Sequence, residues 1–317
     1  PSVSVSVIED GKIVWNETFG SQGPNLNANN NTLYLSASIA KPVTAEIFLR
    51  LANMGKVDLD EPMANYWLDP DIAEDERAKI LTPRHVLTHQ TGFKNWRRMT
   101  DNKLRFDRMP GTKMGYSGEG FLYLVRFLEQ KLEKPFNEIA QDVLFDPEEM
   151  QHSSFVYQDW LAGRMAWPYF PDGVWREPLK VENPFGAGGL RITAKDYSKF
   201  LLAIINGNKV NKALRKEQFT ISLNQYEHCR TSATTPEACP ENLGFGLGWY
   251  IYEFENETVL GHTGANRAEK TLAVFSLDTK KGLVVMSNGS NGNHLLFKIA
   301  EAIGVNPSFI NIEKPKK

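Results

Sequence analysis

The sequence predicts an α/β protein of the α+β type: one antiparallel sheet assembled from both chain ends and flanked by helices, plus a mostly helical lobe. Three observations carry that expectation. The N-terminus alternates polar and apolar residues, the last third returns to strand-like runs, and the stretch between them reads with helical periodicity. On this division residues 1–60 and 185–317 form the sheet-bearing lobe and residues 61–184 the helical lobe, with an active site expected between them.

Ser2-Val3-Ser4-Val5-Ser6-Val7 fits a half-buried strand, Asp10-Gly11 makes a hairpin turn, and Ile13 and Trp15 continue the alternation on a return strand. A helix is predicted from about Ser38 to Met54, with Val43, Ile47, Leu51 and Met54 on one face and Gly55 as its stop. Thr82-Pro83 opens a further helix as cap and first-turn proline, and Gly92 closes it. Glu119 to Leu132 is amphipathic, and Thr193-Ala194-Lys195-Asp196 reads as a capping box before a helix to about Ile205. Strands follow at 249–254, 259–262, 271–277 and 283–287, with a Lys281-Gly282 turn before the last and a helix near 294–303 at the end.

Composition excludes several classes of function. With 36 basic and 38 acidic residues, the formal charge of −2 offers no electrostatic case for nucleic acid or an anionic membrane. The longest apolar runs, such as Leu201 to Ile205, are far too short to span a bilayer. The chain starts at Pro1 and enters a strand at once, so an upstream segment is expected to have been removed. Cys229 and Cys239, the only cysteines, lie in a polar loop at a spacing that permits a disulfide without requiring one. Together these features point mildly to a periplasmic or secreted protein. No cofactor is implied, and no oligomeric state is specified.

Ser38-Ile39-Ala40-Lys41 is the first feature with chemistry. At a helix start the unpaired N–H groups favour developing negative charge, and a lysine one turn on lies on the face of the serine hydroxyl. A serine becomes nucleophilic once a base takes its proton, and a lysine serves only if its pKa is lowered. The bland alternative is an N-cap serine and a solvated lysine. Tyr116, after the Pro110-Gly111 turn, adds a hydroxyl able to pass protons, although a core aromatic is the ordinary reading of one tyrosine. His262-Thr263-Gly264 ends a strand. Gly264 lets a substrate backbone approach closely, Thr263 offers a hydroxyl, and the N–H groups of Ser38 and Ala265 can form an oxyanion hole.

These three elements, in this order, resemble the serine β-lactamase and penicillin-binding-protein family. The likeness is greatest to its class C branch, with the D,D-peptidases and esterases that share the β-lactamase/transpeptidase-like fold. The resemblance covers nearly the whole chain and includes Gly55 to Asp60, Leu87-Thr88-His89-Gln90-Thr91-Gly92, Ala187-Gly188-Gly189-Leu190 and Val285 to Asn288. It implies a covalent acyl-enzyme with Ser38 as nucleophile, Lys41 as the base that helps deprotonate it, Tyr116 as proton relay and His262 at the Lys-or-His position of the third motif. It further implies Thr263 as a contact to a substrate carboxylate or carbonyl and Ala265 as second oxyanion donor.

Two departures bear on the substrate. Gly118 stands where the family usually has an asparagine that holds the substrate amide, which removes a contact and is expected to leave room for a different acyl group. His262 stands where the family's β-lactamases usually carry lysine, and a neutral histidine attracts a carboxylate weakly unless its pKa is raised. An ester or a small peptide or amide is therefore expected ahead of a β-lactam. Pro147-Glu148-Glu149-Met150 replaces a family turn and reads as structural. Asn266 and Arg267 are candidates for a substrate carboxylate, and Asn95-Trp96-Arg97-Arg98 for either substrate contact or surface packing. His85 and His89 have metal spacing without a third ligand, so no metal is expected. Gly186 to Gly189 lacks the context of a phosphate loop and reads as a tight passage near the cleft.

Overall fold

The computed structural model describes residues 1–207, 209–225, 229 and 239–314. Nine strands form one antiparallel sheet in the order β3-β2-β1-β12-β11-β10-β9-β8-β7. Here β1 is Ser2–Glu9, β2 Lys12–Gly23 and β3 Leu26–Asn27, while β7 is Leu223–Asn224 and β8 Asn242–Phe245. The rest are β9 Tyr250–Phe254, β10 Glu257–Ala265, β11 Lys270–Ser276 and β12 Gly282–Ser287. The two chain ends meet where β1 pairs with β12, Val3 opposite Ser287 and Val7 opposite Leu283. A smaller sheet joins β4 (Tyr34–Leu35), β5 (Ser153–Ser154) and β6 (Arg191–Ile192). The sheet from both chain ends is thus as the sequence predicts.

β1 is covered on both faces, although its pattern reads as half-buried. Val5 and Val7 pack toward one side with Leu296, Phe297 and Ala300 of helix α7 (Gly292–Ile303), and Ile8 joins the larger core opposite. Two of its serines bond in place, Ser4 with Thr18 at 2.8 Å and Ser2 with Tyr34 at 2.7 Å, whereas the buried Ser6 hydroxyl has no partner among the described residues. Asp10 and Gly11 both take positive φ, as a two-residue hairpin turn requires.

Helix α1 (Ala40–Asn53) runs through the core, buried from Ala40 to Leu51. Pro42 is harmless in its first turn, where an N–H has no helical partner, and Gly55 at φ +70° turns the chain out. Because α1 is enclosed all round, the single-face pattern expected for it understates its burial, and Met54 is exposed. Each Ile, Leu or Phe it buries is worth roughly 1.5–3 kcal/mol. Helix α5 (Ala194–Ile205) packs on β1 and β12. Thr193 caps it by accepting the Asp196 N–H at 3.1 Å, but the Asp196 carboxylate turns to the His152 N–H instead of closing a capping box.

The segment from 61 to 184 is less helical than predicted. It holds α2 (Pro83–Leu87), α3 (Gly118–Leu132) and α4 (Phe136–Ala140), the last continued by a π-helical turn at Gln141–Phe145, with 3₁₀ turns and irregular chain elsewhere. Asp69 and Asp75 close such turns by accepting N–H groups two residues on, which competes with longer helix. Gly92 does not end α2: a Cβ there would lie 2.3 Å from the Arg108 carbonyl, so it serves close chain approach. The turn before β12 is centred earlier than predicted, with Lys280 at φ +53° and Gly282 already in the strand. Two short helices, α6 (Lys212–Gln218) and α8 (Pro307–Glu313), complete the described chain. Cys229 and Cys239 are disulfide-bonded, with Cα atoms 6.0 Å apart. Among the described residues no helix is long and apolar enough to cross a membrane.

Candidate active site

Ser38 lies in a 3₁₀ turn, Ala37–Ile39, that leads into α1 rather than in the helix itself. Ala37 takes a left-handed φ of +48°, which delays α1 by two residues and sets Ser38 at the edge of a cleft. Lys41 follows in the first turn of α1 with no exposed surface. Its Nζ is 3.2 Å from Ser38 Oγ and 2.7 Å from the Ala187 carbonyl, and it lies 4.8 Å from the Tyr116 ring centre. Among the described residues no carboxylate pairs with it. Burial without a counter-charge lowers the Lys41 pKa to about 7, so a large share is uncharged at neutral pH.

Tyr116 is held by its neighbours on either side. His89, at φ +54° and fully buried, accepts the Gly115 N–H on its carbonyl at 2.7 Å and the Ser117 N–H on Nδ1 at 3.1 Å. Its ring sits 4.3 Å from the tyrosine ring. Ser117 then caps α3 by accepting the Gly120 N–H at 3.1 Å. Tyr116 lines the cleft with Ser38 and its hydroxyl interacts with that serine, while burial raises the phenol pKa, so it stays protonated. Lys41 and Tyr116 thus both act on Ser38.

Strand β10 brings the third element. His262 pairs with Ala273 on β11 and is buried against Tyr116, Phe245 and Tyr250, with ring centres 6.0, 6.2 and 6.0 Å away. Its pKa is lowered to about 3, first by burial and then by the nearby Lys41 charge. Burial and Lys41 thus act against the raised pKa that would restore a cation. Nδ1 lies 2.7 Å from the Thr263 carbonyl, which can only accept, so Nδ1 carries the proton. Nε2 is left as a buried acceptor without a partner among the described residues. Thr263 and Ala265 line the cleft with Ser38.

Gly264 serves a different contact from the one its position suggests. A Cβ there would lie 2.1 Å from Thr271 Oγ1, 2.7 Å from the Ser36 carbonyl and 3.0 Å from the Ser38 nitrogen. The close approach is to the protein's own nucleophile segment, which Thr271 also grips by donating to the Ser36 carbonyl at 2.7 Å.

The remaining candidates separate. Gly118 leaves no vacant space: a Cβ there would meet Trp96 Cη2 at 2.2 Å, and Trp96 stacks on Phe185 with ring centres 5.6 Å apart. Asn266 Oδ1 accepts the Ala268 and Glu269 N–H groups and closes the β10–β11 turn, where Arg267 is exposed. Neither lines the cleft with Ser38. Arg97 pairs with Asp69, Asp71 and Glu119, a structural use, whereas Asn95 does reach the cleft. His85 Nδ1 caps α2 near Thr82, and the described residues contain no metal-holding cluster. Sequence reasoning named three partners without assigning their roles: Ala187 and His89 as parts of stretches in the family resemblance, His89 also as half of a metal pair, and Asn95 as one of four loop residues.

The Beta-lactamase family model matches residues 1–305. Penicillin-binding protein 4 of Amycolatopsis lactamdurans is 24% identical over 277 residues, 77% of this chain and 69% of that protein. The teichoic acid D-alanine hydrolase of Staphylococcus aureus (strain MRSA252) is 24% identical over 217 residues, and the match spans 63% of this chain and about half, 53%, of that protein. In fold the chain is similar to the D-alanine carboxypeptidase AmpC from Burkholderia cenocepacia, with a TM-score of 0.76 at 19% identity, covering 96% of this chain and 93% of that one. It is equally similar to a class C beta-lactamase, with a TM-score of 0.76 at 16% identity, covering 96% and 91%. A match that takes in β1, the Ser38 turn, Tyr116 and β10 together places this chain in the Beta-lactamase family.

Proposed function

We propose that the protein is a serine hydrolase that forms an acyl-enzyme on Ser38 and acts on an ester or a small peptide or amide, as an esterase or D-amino-acid peptidase. The observation that carries this reading is the buried Lys41 3.2 Å from Ser38 Oγ, without a carboxylate partner among the described residues and with Tyr116 beside the same serine. In this mechanism the uncharged Lys41 amine takes the Ser38 proton as Oγ bonds the substrate carbonyl carbon. The carbonyl electron pair moves onto its oxygen, which the N–H groups of Ser38 and Ala265 receive. The proton returns through Tyr116 to the leaving oxygen or nitrogen as its bond to carbon breaks. Water then adds to the acyl carbon, passes its proton back by the same route and frees Ser38. Ser38, Lys41, His262 and Ala265 come from the sheet-bearing segments and Tyr116 from residues 61–184, which supports a site between the two predicted lobes.

Two features argue against an efficient β-lactamase, and within the proposed class they favour an ester over a carboxylate-bearing peptide. A neutral His262 presents an acceptor where a carboxylate-bearing substrate needs a cation, and Gly118 has no amide to offer. The Cys229–Cys239 disulfide supports a periplasmic or secreted location. Hydrolysis of p-nitrophenyl acetate by wild type and Ser38→Ala tests the proposal, with loss of at least about 10³-fold expected in the variant. Equal turnover by the two proteins, or none by wild type, would sink it. A fluorescent penicillin distinguishes the alternatives: stable labelling indicates a penicillin-binding sensor, and rapid loss of label a β-lactamase.

A further inference from the structure

We infer that the C-terminal helix α8 sets specificity: Glu313, with Tyr250 and Tyr252, receives a cationic group carried on the leaving group of the substrate. The inference rests on the serine-hydrolase reading and deepens it.

The family match does not reach α8, because it ends at residue 305 and the helix begins at Pro307. Local chemistry fixes the helix in place. Asn306 caps it by accepting the Ser308 and Phe309 N–H groups at 3.0 and 3.2 Å. Phe309 is buried on the sheet, its ring centre 5.0 Å from that of Tyr252 on β9. A Cβ at Gly261 of β10 would meet the Phe309 ring at 2.8 Å, so the glycine beside His262 makes room for the helix. Docked in this way, α8 puts Ile312 and Glu313 in the wall of the Ser38 cleft.

A row of contacts locates Glu313 relative to the nucleophile. The Tyr116 ring centre is 6.0 Å from that of His262, His262 is 6.0 Å from Tyr250, and Tyr250 is 6.3 Å from Tyr252. The Tyr252 hydroxyl donates to Glu313 Oε1 at 2.6 Å. The carboxylate thus stands several side chains from Ser38, at the far end of a row that begins at Tyr116. In the proposed mechanism Tyr116 hands its proton to the leaving atom, so a group that meets Glu313 sits on the leaving group, at the end of a tether.

The charges of this wall name that group. Glu313 is half-buried, and burial raises its pKa. It has no basic partner among the described residues, since Lys314 turns to Glu301 at 2.7 Å. Glu241, exposed on the same wall, adds a second carboxylate. The one lysine or arginine among the described residues lining the cleft, Lys113, comes from the 61–184 segment. With His262 neutral, the sheet side of the cleft offers carboxylates and tyrosine rings but no cation. That combination suits an ammonium, held by charge and by the faces of the rings. A bound cation would also favour the charged form of Glu313 that burial disfavours.

The experiment compares kcat/KM for the thioacetates of two six-carbon thiols, one ending in trimethylammonium and the other in tert-butyl. They share acyl group, tether and end-group shape and differ only in the charge. Thiol release is read with dithionitrobenzoate, to which the protein offers no free cysteine. Glu313→Gln removes the charge and keeps an oxygen for the Tyr252 hydroxyl. The ratio of the two rates within each protein cancels general damage to the fold. We expect wild type to prefer the cationic ester and Glu313→Gln to lose roughly tenfold of that preference, the worth of one charged contact. Equal ratios in the two proteins, or no cationic preference in wild type, overturn the assignment of Glu313 and leave the hydrolase reading standing. Cleavage of p-nitrophenyl acetate but of neither thioester also overturns the assignment alone, and failure to cleave any of the three overturns both.

Discussion

Lys41 must be uncharged to accept the Ser38 proton, and its burial provides that state at a cost in stability. Its pKa falls from 10.5 in the unfolded chain to about 7 in the fold, so the unfolded state binds the extra proton between those values. Stability contributed by this site therefore rises as pH increases from about 7 toward 10.5, and below about 7 the full penalty applies. Activity shares the sign, since protonation removes the base. The expected kcat/KM profile for p-nitrophenyl acetate has an acidic limb with a single inflection near 7. His262, already neutral above about 3, adds no second step in that range. A flat profile between pH 5 and 8 would count against Lys41 as base. Tyr116 contributes no ionisation there either, because burial raises its pKa.

Among the elements, β10 and the Ser38 turn have to touch main chain to main chain, and only glycine at 264 permits that. Gly264→Ala would push the strand from the Ser36 carbonyl and the Ser38 nitrogen, misplacing both the nucleophile and its oxyanion donors. The expected result is a fall of roughly 10²-fold in kcat from a displacement near 1 Å. Overpacking should lower stability by about 1–3 kcal/mol. Thermal unfolding followed alongside kcat separates the two effects, and unchanged kcat in a folded variant would refute the contact's importance. The same contact explains why the glycine was legible in the sequence while its use was not. A glycine marks close approach, but nothing in Gly261-His262-Thr263-Gly264 says which chain approaches. Likewise a glycine at 118 reads as space until the residue that fills it, 22 positions earlier, is placed.

Across the molecule, α1 carries Lys41 in its first turn, directly after the Ser38 turn, and is anchored by buried charge further along. Glu46, without exposed surface, accepts from Arg50 Nε at 3.1 Å and from Arg215 at 2.7 and 2.9 Å, and Arg50 also pairs with Glu148 at 2.8 Å. The network links α1 to α6 and to the Pro147-Glu148-Glu149-Met150 turn, which is thereby structural. Glu46→Ala would leave two largely buried guanidinium groups without that carboxylate, at a cost of roughly 3–5 kcal/mol. A midpoint of thermal unfolding within a degree of wild type would contradict that account. One apolar cluster also spans the lobes: Ile8 and Met286 of the sheet, Val43 and Ile47 of α1, and Phe121 and Phe136 of the helical segment belong to it. The sequence by itself determined the sheet from both chain ends, the helix after Ser38, the order of the three candidate motifs and the family likeness. Each rests on local periodicity, turn residues or short spacings that one stretch of chain carries alone. Tertiary structure decided the protonation states of Lys41 and His262, the clamp of His89 on Tyr116 and the filling of the Gly118 site by Trp96. It also gave Gly264 its contact. Those depend on burial and on partners tens to hundreds of residues away, which no local pattern records.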